Sequence, residues 1–598
     1  MTPILLWLLA TAVYWGAQDN QPLSSDLRTV WRNPAVSGEE LGGAWLGRFE
    51  YGTDETHDSV RPVATLANRL RHGMFGEDRG AYVWSQITLH ALCGSLLSAL
   101  VFATAGSAAA AMLCGVLFVV HPLATSTVLE LAGISEQLAL LFGLSSLWLF
   151  VRMSLRRGPE ARRGDLLAFV AFGLALGSKE TAFLLLPVLI LFLGAQSSDS
   201  SGAARRFRHI VSLLAISAGF LAFRLVSLQA LPPAAAASPA VYPDSGVATF
   251  ERIKLGLAAV WKYLYLLIYP STLSYTHDDF PSSLGGSAGW MAALGAILVL
   301  GLLIVPAILM VRRRGPAVLW TALMGYALIA GLGVVAPVGD FLSERSAYFL
   351  IPGVLGLLTL LALKVVNSIT SKYVPILILG VGLIVSVPLA LRASGRVDDY
   401  IDQDQLIQSA IVQTGSAYAH YDLGNQFLSR GQYPSAADQY ELALEKNPEL
   451  WMAWINLGAA LSRQEDFSLA MRAYDRALAG AGDMPEYRVP IAKAHFNRAL
   501  LLMRQNRNNE AAEDLEATLK VFPDHLKAHV NLAFIYRNSE KYDEQSLFHF
   551  QRAIELESTE EAKDRLREEM EYIHTRREAL DARDDARRDA GLLPDSAP

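Results

Sequence analysis

Residues 421–448 read YDLGNQFLSRGQYPSAADQYELALEKNP, and one period later residues 455–478 read INLGAALSRQEDFSLAMRAYDRAL. Leu423-Gly424 returns as Leu457-Gly458, Tyr440 as Tyr474 and Ala443 as Ala477, a spacing of 34 residues each time. Two further units follow, FNRALLLMRQNRNNEAAEDLEATLKVFP at 496–523 and VNLAFIYRNSEKYDEQSLFHFQRAIEL at 530–556. A fixed period of this length marks one helix pair per unit. Such a pair cannot bury its apolar face alone and buries it only by stacking on its neighbours.

The period and the Gly, Ala, Tyr and Pro positions resemble the tetratricopeptide repeat. The resemblance implies a soluble α-solenoid over residues 417–557, with a linker at 394–416 before it and a charged capping helix and tail at 558–598 after it. Most repeat aromatics then pack the core, and the concave surface is suited to an extended peptide.

Upstream of the repeats the composition changes. The whole chain has 598 residues, 52% hydrophobic and only 18% charged, which is too apolar for an ordinary soluble protein. The excess lies before Leu391, in runs at 2–15, 84–104, 107–123, 134–152, 165–177, 181–195, 209–229, 289–311, 317–337, 347–366 and 373–391. A twelfth segment, 251–270, is interrupted by Lys254 and Lys262. Read as an amphipathic interfacial helix, it leaves eleven spans. The arginine clusters at 152–163, 205–208 and 312–314 and the Lys364/Lys372 pair then all face the cytoplasm. The expected fold is thus all-α: a polytopic membrane domain over 1–393, then the solenoid. The first loop (16–83), the loops 121–133, 178–180, 230–288 and 336–346, and the repeats face outward. The first run is expected to be a retained span, with a cleaved signal as the alternative.

The net charge of −7 is spread out, with no basic stripe interleaved with aromatics, so nucleic acid is not an expected partner. Cys93 and Cys114 fall inside apolar runs, and no ligand spacing predicts a metal.

The outward loops carry the chemistry-bearing residues. SSDLRTVWRNP (24–34) holds Asp26; HPLATSTVLELAGISEQLALLF starts at His121 and contains Glu130 and Glu136; GSKETAFLLLP carries Lys179-Glu180. YPSTLSYTHDDFP starts at Tyr269 and includes His277-Asp278, and GDFLSERSAYFLIP carries Glu344-Arg345 and Tyr348. Together with RPVATLANRL from Arg61 and LHAL from Leu89, the order of these stretches resembles the multi-spanning protein O-mannosyltransferases with C-terminal tetratricopeptide repeats, within the wider GT-C glycosyltransferases. The resemblance covers nearly the whole chain.

It implies a GT-C-type membrane domain, a sugar on a polyprenyl phosphate as donor, no certain cofactor, and an acceptor on the outer or lumenal side. It further implies Asp26 as the acid acting at the acceptor, and Lys179, Glu180, Glu344, Arg345 and Tyr348 at the donor phosphate. His121, Glu136, Asp58, His277 and Asp278 are candidate acceptor or donor contacts. The chain departs from the pattern at two places. Ser25 stands where one carboxylate of an Asp-Asp pair is usual, and Ala124-Thr125-Ser126 stands where a His-Thr-Glu run is. Glu130 and Glu136 are available to compensate.

Each residue also has a plainer reading. Asp26 can be a solvated loop charge, the Asp54–Asp58 cluster a polar loop, His121 a helix cap before Pro122, and the Lys179 and Arg345 pairs structural ion pairs. The composition points to a bacterial inner membrane, with an endoplasmic-reticulum membrane as the eukaryotic equivalent. Two other functions stand beside sugar transfer to an extracytoplasmic protein: a non-catalytic membrane-anchored scaffold, and a lipid-sugar enzyme acting on glycans or lipids.

Overall fold

In the computed structural model of the chain, the described residues are 2–31, 33–37, 60–154, 156, 159–196, 200–230, 249–277, 288–331, 344–366, 374–481, 484 and 487–589. Among them every regular element is helical. They fall into two compact units, one up to Leu423 and one from Gly424. The candidate contact residues Asp58 and Asp278 lie outside the described residues.

Among the described residues each of the eleven apolar runs of the first unit forms helix over most of its length, as lipid demands: a spanning backbone must satisfy its own N–H and C=O groups. Among the described residues six helices are long and apolar enough to cross a membrane: Arg79–Ala105, Leu131–Met153, Ala203–Ser227, Gly289–Val311, Glu344–Val366 and Gly380–Tyr400. The pair Ala108–Val119 and Pro122–Leu129, bent by 51°, is a further candidate for one broken span. Thr2–Val13, Glu180–Gly194 and Gly315–Ile329 are shorter apolar helices. The interrupted segment forms the helix Thr249–Ile268, tied to the next helix where Trp261 Nε1 donates to the Met291 carbonyl at 3.0 Å.

Local chemistry sets the helix ends. Asp78 caps Arg79–Ala105 by accepting from Ala81 N, and Gly106, at φ 72°, ends it. Small residues set the closest approach. A Cβ on Gly353 would lie 2.7 Å from Met324 N, and one on Gly356 would lie 2.0 Å from the Trp320 ring. The helices Gly315–Gly331 and Leu350–Val366 therefore meet at van der Waals range only because those side chains are absent.

In the second unit the 34-residue period becomes stacked helix pairs: Trp451–Arg463 with Phe467–Ala481, Arg488–Arg504 with Asn508–Val521, and Leu526–Arg537 with Asp543–Leu556. The recurrent Leu-Gly is explained by the recurrent Tyr. A Cβ on Gly424 would stand 2.6 Å from the Tyr440 ring, and one on Gly458 2.8 Å from Tyr474. The charged helix Glu560–Asp589 lays Leu566 and Ile573 against Ala533 and Phe550 of the last pair.

The contact of His549 with His529 is expected to make this unit sensitive to pH. His529 Nε2 donates to the Pro523 carbonyl at 2.8 Å, so its Nδ1 accepts from His549 Nδ1 at 2.8 Å while both rings are neutral. Burial, and then the neighbouring His529, push the His549 imidazole down to about 4. The unfolded ring takes its proton near pH ~6.5, so stability is complete above that pH and is lost as the pH falls towards 4. Amide exchange in Asp543–Leu556 is expected to accelerate between pH 6.5 and 4, after correction for intrinsic rates, and to do so less in His549→Gln. Equal acceleration in the variant would contradict this account.

Candidate active site

Asp26 is fully buried at 0% exposure. Its Oδ2 accepts from Leu23 N and from Arg79 Nε, both at 3.1 Å, and its Oδ1 accepts from Leu131 N at 2.8 Å. Arg79, itself buried, spends its remaining donors on the carbonyls of Ala17, Asn20 and Leu129 at 3.2, 3.3 and 3.1 Å. Asp26, expected to act at the acceptor or to stand as a solvated loop charge, thus forms a buried clasp with Arg79. It ties the first loop to the start of Arg79–Ala105 and to the backbone at 129–131.

Lys179 and Arg345 do not pair with the glutamates beside them in sequence. Lys179 Nζ meets Glu136 Oε1, and Arg345 Nη1 lies 3.6 Å from Glu130 Oε2. Adjacent residues on a helical turn point to different faces, so Glu180 and Glu344 find other partners. Glu180 is held by Arg61 at 3.1 Å and Arg224 at 3.0 Å. Glu344, deeply buried, accepts from Ser274 N and from Arg396 Nη1, both at 2.7 Å. Tyr348 lies in the interior, its hydroxyl 2.9 Å from His90 Nδ1. His90 Nε2 donates to the Val119 carbonyl, so Nδ1 accepts and Tyr348 donates.

Both ring nitrogens of His121 are used at the helix break: Nε2 on the Leu267 carbonyl at 3.0 Å and Nδ1 on Leu123 N at 3.3 Å. His277 is buried, with no hydrogen-bond partner on either ring nitrogen among the described residues, and its Nε2 lies 3.5 Å from Glu344 Oε1.

Glu136 sits within electrostatic reach of Lys179, Arg345 and Arg61 together. One helical turn below it begins an apolar cleft lined by Leu140, Gly143, Leu147, Leu185, Val188 and Phe349. Phe349 follows Arg345 by one turn and Thr181, also in the wall, follows Lys179 by two residues. Cations close in sequence to the wall of an apolar cleft suit an amphiphile with an anionic head. Lys179 and Arg345 keep 12% and 34% of their side chains exposed.

Arg79, Arg224 and Arg396 belong to this constellation and were not singled out by the sequence; their one signal is a charge at the edge or inside of an apolar run, where an unpaired cation is costly.

The comparisons with known proteins agree with the order of these parts. Residues 62–223 match the family model described as dolichyl-phosphate-mannose-protein mannosyltransferase, and residues 421–485 and 496–557 match that of the tetratricopeptide repeat. The chain is 28% identical over 237 residues to the Protein O-mannosyl-transferase TMTC2 of Mus musculus, covering 37% of this chain and 28% of that protein. It is 23% identical over 462 residues to a protein O-mannosyl-transferase of Caenorhabditis elegans, covering 74% of this chain and 62% of that protein. The chain thus spans less than two thirds of the length of either relative. Among solved structures it is similar to the Archaeoglobus fulgidus oligosaccharyltransferase, with a TM-score of 0.40 and 14% identity over 66% of this chain and 53% of that one.

Proposed function

From a chain that joins a dolichyl-phosphate-mannose-protein mannosyltransferase domain to tetratricopeptide repeats, we propose a membrane glycosyltransferase that moves a hexose, mannose first, from a polyprenyl phosphate to a hydroxyl of an extracytoplasmic protein. The observation that carries this reading is the pair of cations, Lys179 and Arg345, each within four residues of a residue in the wall of the apolar cleft. The polyprenyl chain lies in the cleft and its phosphate meets the two cations. Their charge-assisted hydrogen bonds strengthen as the leaving phosphate gains charge. Glu136, held by Ser135 Oγ at 2.6 Å and by Lys179, fixes the lysine in place. Glu180, Glu344 and Tyr348 act behind these two as supports. The repeats bring the acceptor protein, and eleven spans put the loops of Asp26, Glu130 and Lys179 on the outer side of a bacterial inner membrane.

The test is transfer from a radiolabelled polyprenyl-phosphate mannose by the purified chain in lipid vesicles, with donor binding measured separately. Arg345→Ala and Lys179→Ala are each expected to weaken donor binding by about tenfold or more, since a hydrogen bond to a charged group contributes about 1.5–3 kcal/mol. Donor affinity unchanged in both variants would overturn the phosphate assignment. Donor binding without transfer in the wild type, across several sugars and acceptors, would favour the scaffold.

A further inference from the structure

We propose that Glu130 is the group that takes the proton from the acceptor hydroxyl, and that Asp26 is the positioning residue that holds it there. The inference deepens the transferase reading and rests on it.

Asp26, Glu130, Glu136, Glu180 and Glu344 are the five buried or half-buried carboxylates among the candidate residues, and their partners separate them. Asp26 receives three hydrogen bonds, Glu136 is held by Ser135 and Lys179, Glu180 by two arginines, and Glu344 by Ser274 N and Arg396. Among the described residues none donates a hydrogen bond to the Glu130 carboxylate; its one close charge is Arg345 at 3.6 Å. Its side chain is 12% exposed, against 0–3% for Asp26, Glu136 and Glu344. A base needs a free lone pair within reach of the proton, and of the five Glu130 alone combines both.

The backbone under Glu130 is gripped at three successive residues. Arg79 Nη2 donates to the Leu129 carbonyl at 3.1 Å, Gln86 Nε2 to the Glu130 carbonyl at 2.8 Å, and Leu131 N donates to Asp26 Oδ1 at 2.8 Å. The Asp26–Arg79 clasp therefore closes on both sides of Glu130, which gives the buried pair a task that does not require it to touch substrate. The sequence shows an acid where Asp26 stands; the fold uses it to aim another acid. Burial pushes the Glu130 carboxyl up to about 7; Arg345 pulls it down, and Asp26, Glu136 and Glu344 add to the rise. A carboxylate so placed is poised to accept a proton near neutrality.

The acceptor oxygen forms a bond to the anomeric carbon as its proton passes to a Glu130 oxygen. The bond from the anomeric carbon to the phosphate oxygen breaks, and its electron pair stays on the polyprenyl phosphate beside Arg345 and Lys179. Glu130 then returns the proton to water.

The experiment uses the full chain in vesicles, with labelled polyprenyl-phosphate mannose and a serine- and threonine-rich peptide pool. Glu130→Gln is expected to lower the single-turnover rate at least about a hundredfold, with donor binding within twofold of wild type. The wild-type rate should rise with pH through about 7, because only the deprotonated carboxylate accepts a proton, and this inflection should vanish in the variant. Should Glu130→Gln fail to bind donor, Glu130→Ala with added formate replaces it, and recovery of at least tenfold in rate is the expected result. A wild-type rate in Glu130→Gln, or no formate rescue in Glu130→Ala, overturns the role of Glu130 and leaves the transferase reading standing. A wild-type chain that binds donor but transfers to no acceptor overturns both.

Discussion

Asp26→Ala is expected to destabilise the membrane unit by about 3–5 kcal/mol, the range for removing one partner of a buried ion pair. The charge left behind is Arg79, only 5% exposed, with three backbone carbonyls as its remaining acceptors. The amides of Leu23 and Leu131 lose their acceptor at the same time, and each unsatisfied buried donor adds to the loss. Removing both charges is a milder change than removing one, because an apolar pair of similar volume avoids the stranded guanidinium. The detergent-solubilised Asp26→Leu, Arg79→Met double variant should therefore unfold at a higher temperature than Asp26→Ala. A thermal midpoint for Asp26→Ala equal to wild type would remove the clasp from the account. The same variants separate the two roles of Asp26: a positioning residue leaves donor binding intact in whatever fraction stays folded, because Lys179, at the helix break before Glu180, and Arg345, in the helix Glu344–Ala347, stand on other segments.

The parts of the molecule legible in the sequence are those written as repetition. Leu423-Gly424 and Leu457-Gly458 return at a fixed period because each must clear a tyrosine one helix away, so one local rule is printed twice. The apolar runs are legible for a similar reason, since lipid imposes one requirement along the whole length of a span. The partners of charges follow no such rule. Lys179 beside Glu180 suggests a pair, yet its carboxylate comes from Glu136, 43 residues earlier, and Glu180 takes Arg61 from 119 residues earlier. Arg79 reads as the boundary of an apolar run, and nothing near it in sequence points to Asp26. Glu130 reads as one acid in a mixed loop. Its distinction is a deficit of hydrogen bonds, which exists only once the other four carboxylates have found their donors.

Gly133→Ala is expected to reduce transfer at least about a hundredfold while donor binding changes little. The reason is a close approach, since Gly133 has an ordinary φ of −63° that any residue adopts. A Cβ there would stand 2.0 Å from the Thr127 carbonyl oxygen and 2.9 Å from the Thr127 Cα, both backbone atoms that no rotamer change can move aside. The segment 127–133 must open to admit the methyl group. Gly133 N, which donates to the Glu130 carbonyl at 2.9 Å, moves with it. Glu130 is then displaced relative to Arg345, and a misplacement of about 1 Å at a reacting group can lower a rate about a hundredfold. Gly143, in the wall of the apolar cleft, supplies the control. Its added Cβ would meet only the Leu185 side-chain tip at 2.6 Å, a group that can rotate away. Gly143→Ala should therefore retain most of the turnover, and any loss should appear in donor affinity. Equal turnover in Gly133→Ala and wild type would mean that the loop tolerates the methyl group without moving Glu130, or that Glu130 does not need its position. Amide exchange over residues 127–133 distinguishes the two: a loop that opens loses protection in the variant, and one that has not moved keeps it.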